Sequence, residues 1–292
     1  MNLFKRFIKY QSIRFPLKIL GFTTLASVFS SAAIINYNVS LMQIILAFLA
    51  IMLFMYHIRV VDESRDFIDD KTYHSDLPIH SGLITLKELF AIDIVGILII
   101  LGISIYSGLN VIVITIVFFL FTTLAWKDFF LRRFFKGKNV LYHIVNSPQM
   151  IILQLFIFTL YTGNMKYSVS MWILVLFMYI NIFVLEVVRK IKINTEESKV
   201  KDTYSASIGF RKSILFLYLL SIFSFGIYSC LMFSLKTSLQ QILISTLPLF
   251  ALITISAIFH FNKKSKSSEK LLLLSTVLQY VGLNTFICIF QL

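Results

Sequence analysis

The sequence predicts an all-α, polytopic membrane protein built as a bundle of nine transmembrane helices, and three observations carry that prediction. The 292-residue chain is 58% hydrophobic with only 14% charged residues, too few charges to cover the surface of a soluble domain. Runs of about 20 apolar residues recur along it, the length that crosses about 30 Å of hydrocarbon. The connections between those runs alternate between short, nearly uncharged segments and long, charged ones.

The elements follow in order. The opening segment MNLFKRFIKYQSIRFPLK carries five bases and the apolar residues Phe4, Phe7, Ile8 and Phe15. That pattern suits a retained interfacial helix lying on anionic lipid. The competing reading is a signal-peptide n-region with a small-residue cleavage site at Ser30-Ser31-Ala32-Ala33. Spans are expected at about 18–36, 41–61, 86–106, 109–127, 143–162, 167–188, 212–234, 239–261 and 271–290. The third holds Asp93, the only acid well inside a span, and the eighth contains Pro248, which a membrane helix tolerates. Cys230 and Cys288 lie far apart in apolar runs and read as small hydrophobes. No internal repeat or soluble segment divides the chain, so residues 1–292 are expected to form one membrane domain.

Of the 27 Lys and Arg, only Lys166 and Lys236 fall in the short connections. The excess of bases in the long loops predicts that these loops and the N-terminus are cytoplasmic and the C-terminus is outside a cell membrane. All 14 acids fall on that same side, which no charge rule requires and which points to function on one face. The net charge of +13 is explained by membrane orientation, so nucleic acid is not an expected partner. The five histidines are scattered without an HExxH pattern, which gives zinc chemistry little support. Transport is weakly supported too, because the bilayer midplane lacks the ionisable residues it would need.

The stretch RVVDESRDFIDDKTYHSDLPIHSG, residues 59–82, holds six carboxylates. Asp62, Asp66 and Asp70 recur every four residues, which on a helix makes one stripe about 12 Å long. Like charges at that spacing repel, and a bound hard cation such as Mg2+ would offset the repulsion. A solvated acidic loop is the bland alternative. A second charged loop, residues 126–149, interleaves bases with Phe. Lys127, beside Trp126 at a span end, is a candidate phosphate contact, against a purely headgroup-bound segment. In the third loop Glu186 closes the sixth span with Lys190 one turn on, a favourable pair that accounts for both residues by itself. If that helix continues, Glu197 lies about three turns past Glu186, near the same face.

Together these residues resemble the UbiA-type intramembrane prenyltransferases. Their first motif, N/D-D-x-x-D-x-x-x-D, is similar to Asp62-Glu63-Ser-Arg-Asp66-Phe-Ile-Asp-Asp70. Pro78 and Gly82 match the phrase that follows it, with Leu77 where the family has Arg; Pro148-Gln149 and Val200–Gly209 match two later phrases. The resemblance implies a Mg2+-dependent enzyme acting on a prenyl diphosphate. Mg2+ would be held by Asp62, Glu63, Asp66, Asp70 and Glu186, with Asp62, Asp66 and Glu186 catalytic. The isoprenoid would pass to a lipophilic or aromatic acceptor, or cyclise without one as in related terpene cyclases. Tyr204 is a substrate contact by motif position alone. The family's second motif, D-x-x-x-D, is altered here to Glu186 and Lys190. Two repairs follow: Glu196 or Glu197 folds back as a metal ligand, or Arg189 or Lys190 takes the place of a metal against the pyrophosphate.

Overall fold

The computed structural model describes residues 2–35, 39–73, 75–135, 139–193 and 203–291. Helix α1 (Leu3–Arg14) precedes α2 (Leu17–Ile35), and α3 (Leu41–Arg65) bends into the short α4 (Phe67–Tyr73). Next come α5 (Leu86–Ser107) and α6 (Leu109–Trp126), a 3₁₀ turn at Asp128–Phe130, and the short α7 (Arg132–Phe135) and α8 (Asn139–Asn146). The remainder is α9 (Pro148–Thr162), α10 (Val169–Arg189), the short α11 (Tyr204–Ile208), α12 (Phe210–Ser234), α13 (Leu239–Lys263) and α14 (Lys266–Gln291). Among the described residues nine helical segments are long and apolar enough to cross a membrane, and each coincides with an expected span.

Local chemistry explains where the helices begin and end. Capping boxes at Ser40/Gln43, Thr85/Glu88 and Ser238/Gln241 satisfy the first free N–H groups of α3, α5 and α13. Gly108 alone separates α5 from α6, and its φ of 107° is a conformation that side-chain-bearing residues avoid. The ninth span starts at Lys266, earlier than hydropathy suggests. Ser265 and Ser268 exchange backbone and side-chain hydrogen bonds there and nucleate the first turn. Pro248 sits within a continuous α13.

The long helices pack in chain order, each on the next, and α14 returns to α2 to close a ring. Helices α2, α9, α10 and α14 also touch across it, and α10 is the most enclosed. Outward side chains such as Leu98, Ile105, Leu120 and Ile255 are exposed as a lipid-facing wall. Inside, small polar residues join helices where lipid supplies no hydrophobic drive for association. Gln154 bonds both Ser27 and Ser31, Ser30 bonds Asn284, and Ser224 joins Asn181 to Gln279.

Two expectations change. The acidic stripe is bent, because Asp66 adopts φ −89° and ψ 0° between α3 and α4. The helical bonds from Asp66 N–H to the Asp62 carbonyl (3.0 Å) and from Asp70 N–H to the Asp66 carbonyl (2.8 Å) persist through the bend. Nor does α10 run on toward Glu197. Lys190 caps it with bonds to the Val187 and Val188 carbonyls, and the Lys190 carbonyl then accepts from Tyr204 N–H at 3.0 Å, drawing the chain aside. Glu196 and Glu197 lie outside the described residues.

Candidate active site

Arg65, in the last turn of α3, is the hub of the acidic side. Its guanidinium grips Asp66 at two points, both 2.9 Å, and lies 3.0 Å from Asp62. It also approaches Asp128 to 3.7 Å and covers the Tyr142 ring, 5.3 Å from its centroid. Three carboxylates this close need such a counter-charge. Asp128 arrives from the far end of α6 on an unusual turn: Asp128, Phe129 and Phe130 have φ of 49°, 53° and 60°. Each non-glycine residue in that left-handed region costs about 1–2 kcal/mol, and strain of this kind collects at functional sites.

The second side is the end of α10. Glu186 accepts from Arg189 at 2.6 Å and lies 3.3 Å from the Lys190 ammonium and 3.5 Å from His143 Nε2. Lys190 donates to His143 Nε2 at 3.1 Å, which assigns the neutral ring's proton to Nδ1. Tyr204 stacks on His143, with ring centroids 5.8 Å apart. Its buried hydroxyl has no hydrogen-bond partner among the described residues. Burial first, and then the Glu186 charge, push the Tyr204 phenol above its ordinary range, so at neutral pH it remains a donor. Two adjacent residues of α8 join the two sides: Tyr142 lies under Arg65, and His143 lies beside Glu186.

The other expected residues are placed differently. Glu63, only 4% exposed, turns away from Arg65. It accepts from Arg14 at 2.7 Å and from Arg59, and from the Tyr10 hydroxyl at 3.4 Å. Burial and the Glu63 charge push the Tyr10 phenol up to about 12, which keeps it a donor. Asp70, on α4, lies 3.7 Å from Arg14. Lys127 is exposed, with its ammonium 4.3 Å from the Trp126 ring centroid. Arg189 is largely exposed.

Sequence reasoning passed over Arg65, Tyr142 and Asp128, and set His143 aside. The available signals were an arginine inside an acidic motif and the one acid of the second charged loop. His57 on α3 and Asp93 on α5 pair at 2.9 Å, with Thr122 3.3 Å from the other ring nitrogen.

Carboxylate oxygens are the donors Mg2+ prefers, so the chemistry of Asp62, Asp66, Asp70 and Glu186 fits that ion. Among the described residues, however, no three His, Cys, Asp or Glu side chains converge as a ready metal cage. Bases are interleaved with the acids, an arrangement suited to a metal arriving with an anion.

The profile of the UbiA prenyltransferase family matches residues 20–278, nearly the whole ring. The chain belongs to the UbiA prenyltransferase family. No protein of curated function matches it. Among solved structures, a UbiA homologue from Archaeoglobus fulgidus bound to DMAPP and Mg2+ is similar at 15% identity and a TM-score of 0.60, over 96% of this chain and 99% of that one. The same homologue bound to GPP and Mg2+ gives 14% identity and 0.57 over the same shares. A digeranylgeranylglyceryl phosphate synthase gives 17% and 0.56, over 95% of this chain and 99% of that one. At these identities the likeness establishes a shared fold. Within this UbiA-family ring, the Arg65 and Glu186 clusters lie at the charged-loop ends of α3, α6 and α10.

Proposed function

We propose that this UbiA-family protein ionises a prenyl diphosphate at the face formed by Arg65 and Glu186 and transfers the isoprenoid to a lipophilic or aromatic acceptor. The observation that carries the reading is the pairing of carboxylates with bases across that face: Asp62, Asp66 and Asp128 around Arg65, and Glu186 with Lys190 and Arg189. The UbiA homologues of the same fold were solved with prenyl diphosphates and Mg2+, which supports both ligands here. Asp62, Asp66, Asp70 and Glu186 would hold Mg2+, which when bound supplies positive charge to the diphosphate oxygens. Glu63 is left out of that set because two guanidinium groups already occupy it.

The protein's own bases do the rest. Lys190 and Arg65 stand beside the acids as point and forked donors for the departing diphosphate. Cleavage of the C1–O bond leaves both electrons on pyrophosphate and an allylic cation at C1. The acceptor's carbon attacks C1 and then loses a proton. An apolar surround for the isoprenoid would keep water from the cation. The excess of bases in the long loops supports a cytoplasmic orientation of this face.

The test incubates purified protein in detergent with Mg2+ and prenyl diphosphates of several lengths, with and without aromatic and lipid acceptors. Organic products are identified by mass spectrometry. Acceptor-dependent pyrophosphate release with a prenylated product is expected. Asp66→Asn, which keeps the size and removes a charged ligand, is expected to lower turnover about 100-fold, the upper end of the loss seen when even a group supporting a metal ligand is removed. A cyclic hydrocarbon formed without acceptor would replace transfer by cyclisation. Full activity in folded Asp66→Asn protein would refute the site.

A further inference from the structure

Helix α1 lies behind the acidic motif. Phe7 and Phe15 pack edge-on against Tyr56 with centroids 5.8 and 6.0 Å away, and Tyr10, Val60, Ile84 and Leu89 complete a small core separate from the main one. Arg6 adds a two-point bridge to Glu88 at 2.6 and 3.1 Å. Docked this way, α1 delivers Arg14 to the motif. Arg14 Nε donates to Glu63 at 2.7 Å, and its Nη2 lies 3.7 Å from Asp70 Oδ2. Glu63 precedes the bend at Asp66 and Asp70 follows it, so one planar guanidinium touches both sides of the bend.

We propose that Arg14 is a positioning residue that sets the angle between α3 and α4, and through it the relative placement of Asp62, Asp66 and Asp70. The inference rests on the Mg2+–diphosphate reading of that site. The bend is a single residue wide, so whatever holds Glu63 against Asp70 also holds the angle between the two helices. The rigid fork of an arginine spans two carboxylates in fixed geometry, which a lysine ammonium does not. Glu63 is thereby a brace, which explains a buried acid in the motif that turns away from the other carboxylates.

Charge alone predicts the opposite outcome. Removing a cation beside Asp70 makes the site more negative and attracts a divalent ion more strongly. Loosening the bend scatters the ligands and weakens binding. The sign of the change in metal affinity therefore decides between clamp and charge.

The experiment titrates purified full-length protein in detergent with Mn2+, read by electron paramagnetic resonance, and measures the Mg2+ dependence of pyrophosphate release in parallel. Arg14→Ala and Arg14→Lys are both expected to weaken Mn2+ binding about tenfold, the scale seen when a group supporting a metal ligand is lost. Their turnover should recover as Mg2+ is raised. Monodisperse elution and unchanged melting confirm folding; if Arg14→Ala fails there, the charge-preserving Arg14→Lys carries the test. Unchanged or tighter Mn2+ binding in folded Arg14→Ala, or wild-type binding in Arg14→Lys, overturns the clamp. Asp66→Asn separates the two levels: if it binds Mn2+ as the wild type does, the metal-site reading itself falls, and the clamp falls with it.

Discussion

Lys190 lies between Glu186 and the His143 ring, 3.3 and 3.1 Å away. A residue that only paired with Glu186 on a helix end would contribute about 0.2–0.5 kcal/mol, less than a threefold effect on any rate. A residue that donates to the diphosphate loses a charge-assisted bond worth about 1.5–3 kcal/mol when removed, or about 10- to 100-fold in kcat/KM. Lys190→Ala is therefore expected to lower kcat/KM for the prenyl diphosphate by that larger factor. Lys190→Asp, which restores the acidic spacing from Glu186, should recover part of it at raised Mg2+. Pyrophosphate release across a magnesium titration checks both, and unchanged kinetics in Lys190→Ala would remove Lys190 from the substrate site. The adjacent Arg189 is 60% exposed, so its pair with Glu186 is screened by water and its removal should matter less.

Elements in this bundle hold together by bonds that only neighbouring helices can make. Gln154 on α9 accepts from Ser27 at 2.9 Å and donates to Ser31 at 2.6 Å, fastening α2 near the ring's interior. Helix-to-helix hydrogen bonds within membranes contribute about 0.6 kcal/mol on average and up to about 1.7. Gln154→Leu is expected to destabilise the protein by about 1 kcal/mol, read as a lower midpoint in detergent unfolding, while Mg2+ dependence stays as in the wild type. A changed Mg2+ dependence would mean that α2 and α9 communicate with the acidic site. Some helix boundaries have a local cause, since Ser40, Thr85 and Ser238 form capping boxes and Gly108 a reversal. The end of α10 has a partner distant in the chain, since the Lys190 carbonyl accepts from Tyr204 N–H.

At the scale of the molecule, the ring closes by packing α14 on α2, so both ends of the chain contribute to one wall. The distribution of bases predicts that the connection at Lys166 faces outside and the start of α14, at Ser267, faces the cytoplasm. Single cysteines placed by Lys166→Cys or Ser267→Cys in a cysteine-free background test this. A membrane-impermeant maleimide should label the first in intact cells and the second only after permeabilisation. The reverse pattern would turn the acidic face outward and remove the cytoplasmic assignment.

Span number, span order and the acidic motif were legible in the sequence because each is local. Lipid offers the backbone no hydrogen-bond partners, so a run of about 20 apolar residues must satisfy itself as a helix, whatever lies beside it. Partnership is not local. Asp62 and Glu63 are adjacent in sequence, yet one turns to Arg65 and the other to Arg14, because successive residues on a helix point about 100° apart. Asp128 reaches Arg65 across more than sixty residues of chain, and Lys190 reaches His143 across 47. Which guanidinium each acid meets was decided by where the closed ring and the docked α1 set their counter-charges. No spacing along the chain encodes the azimuth of a neighbouring helix.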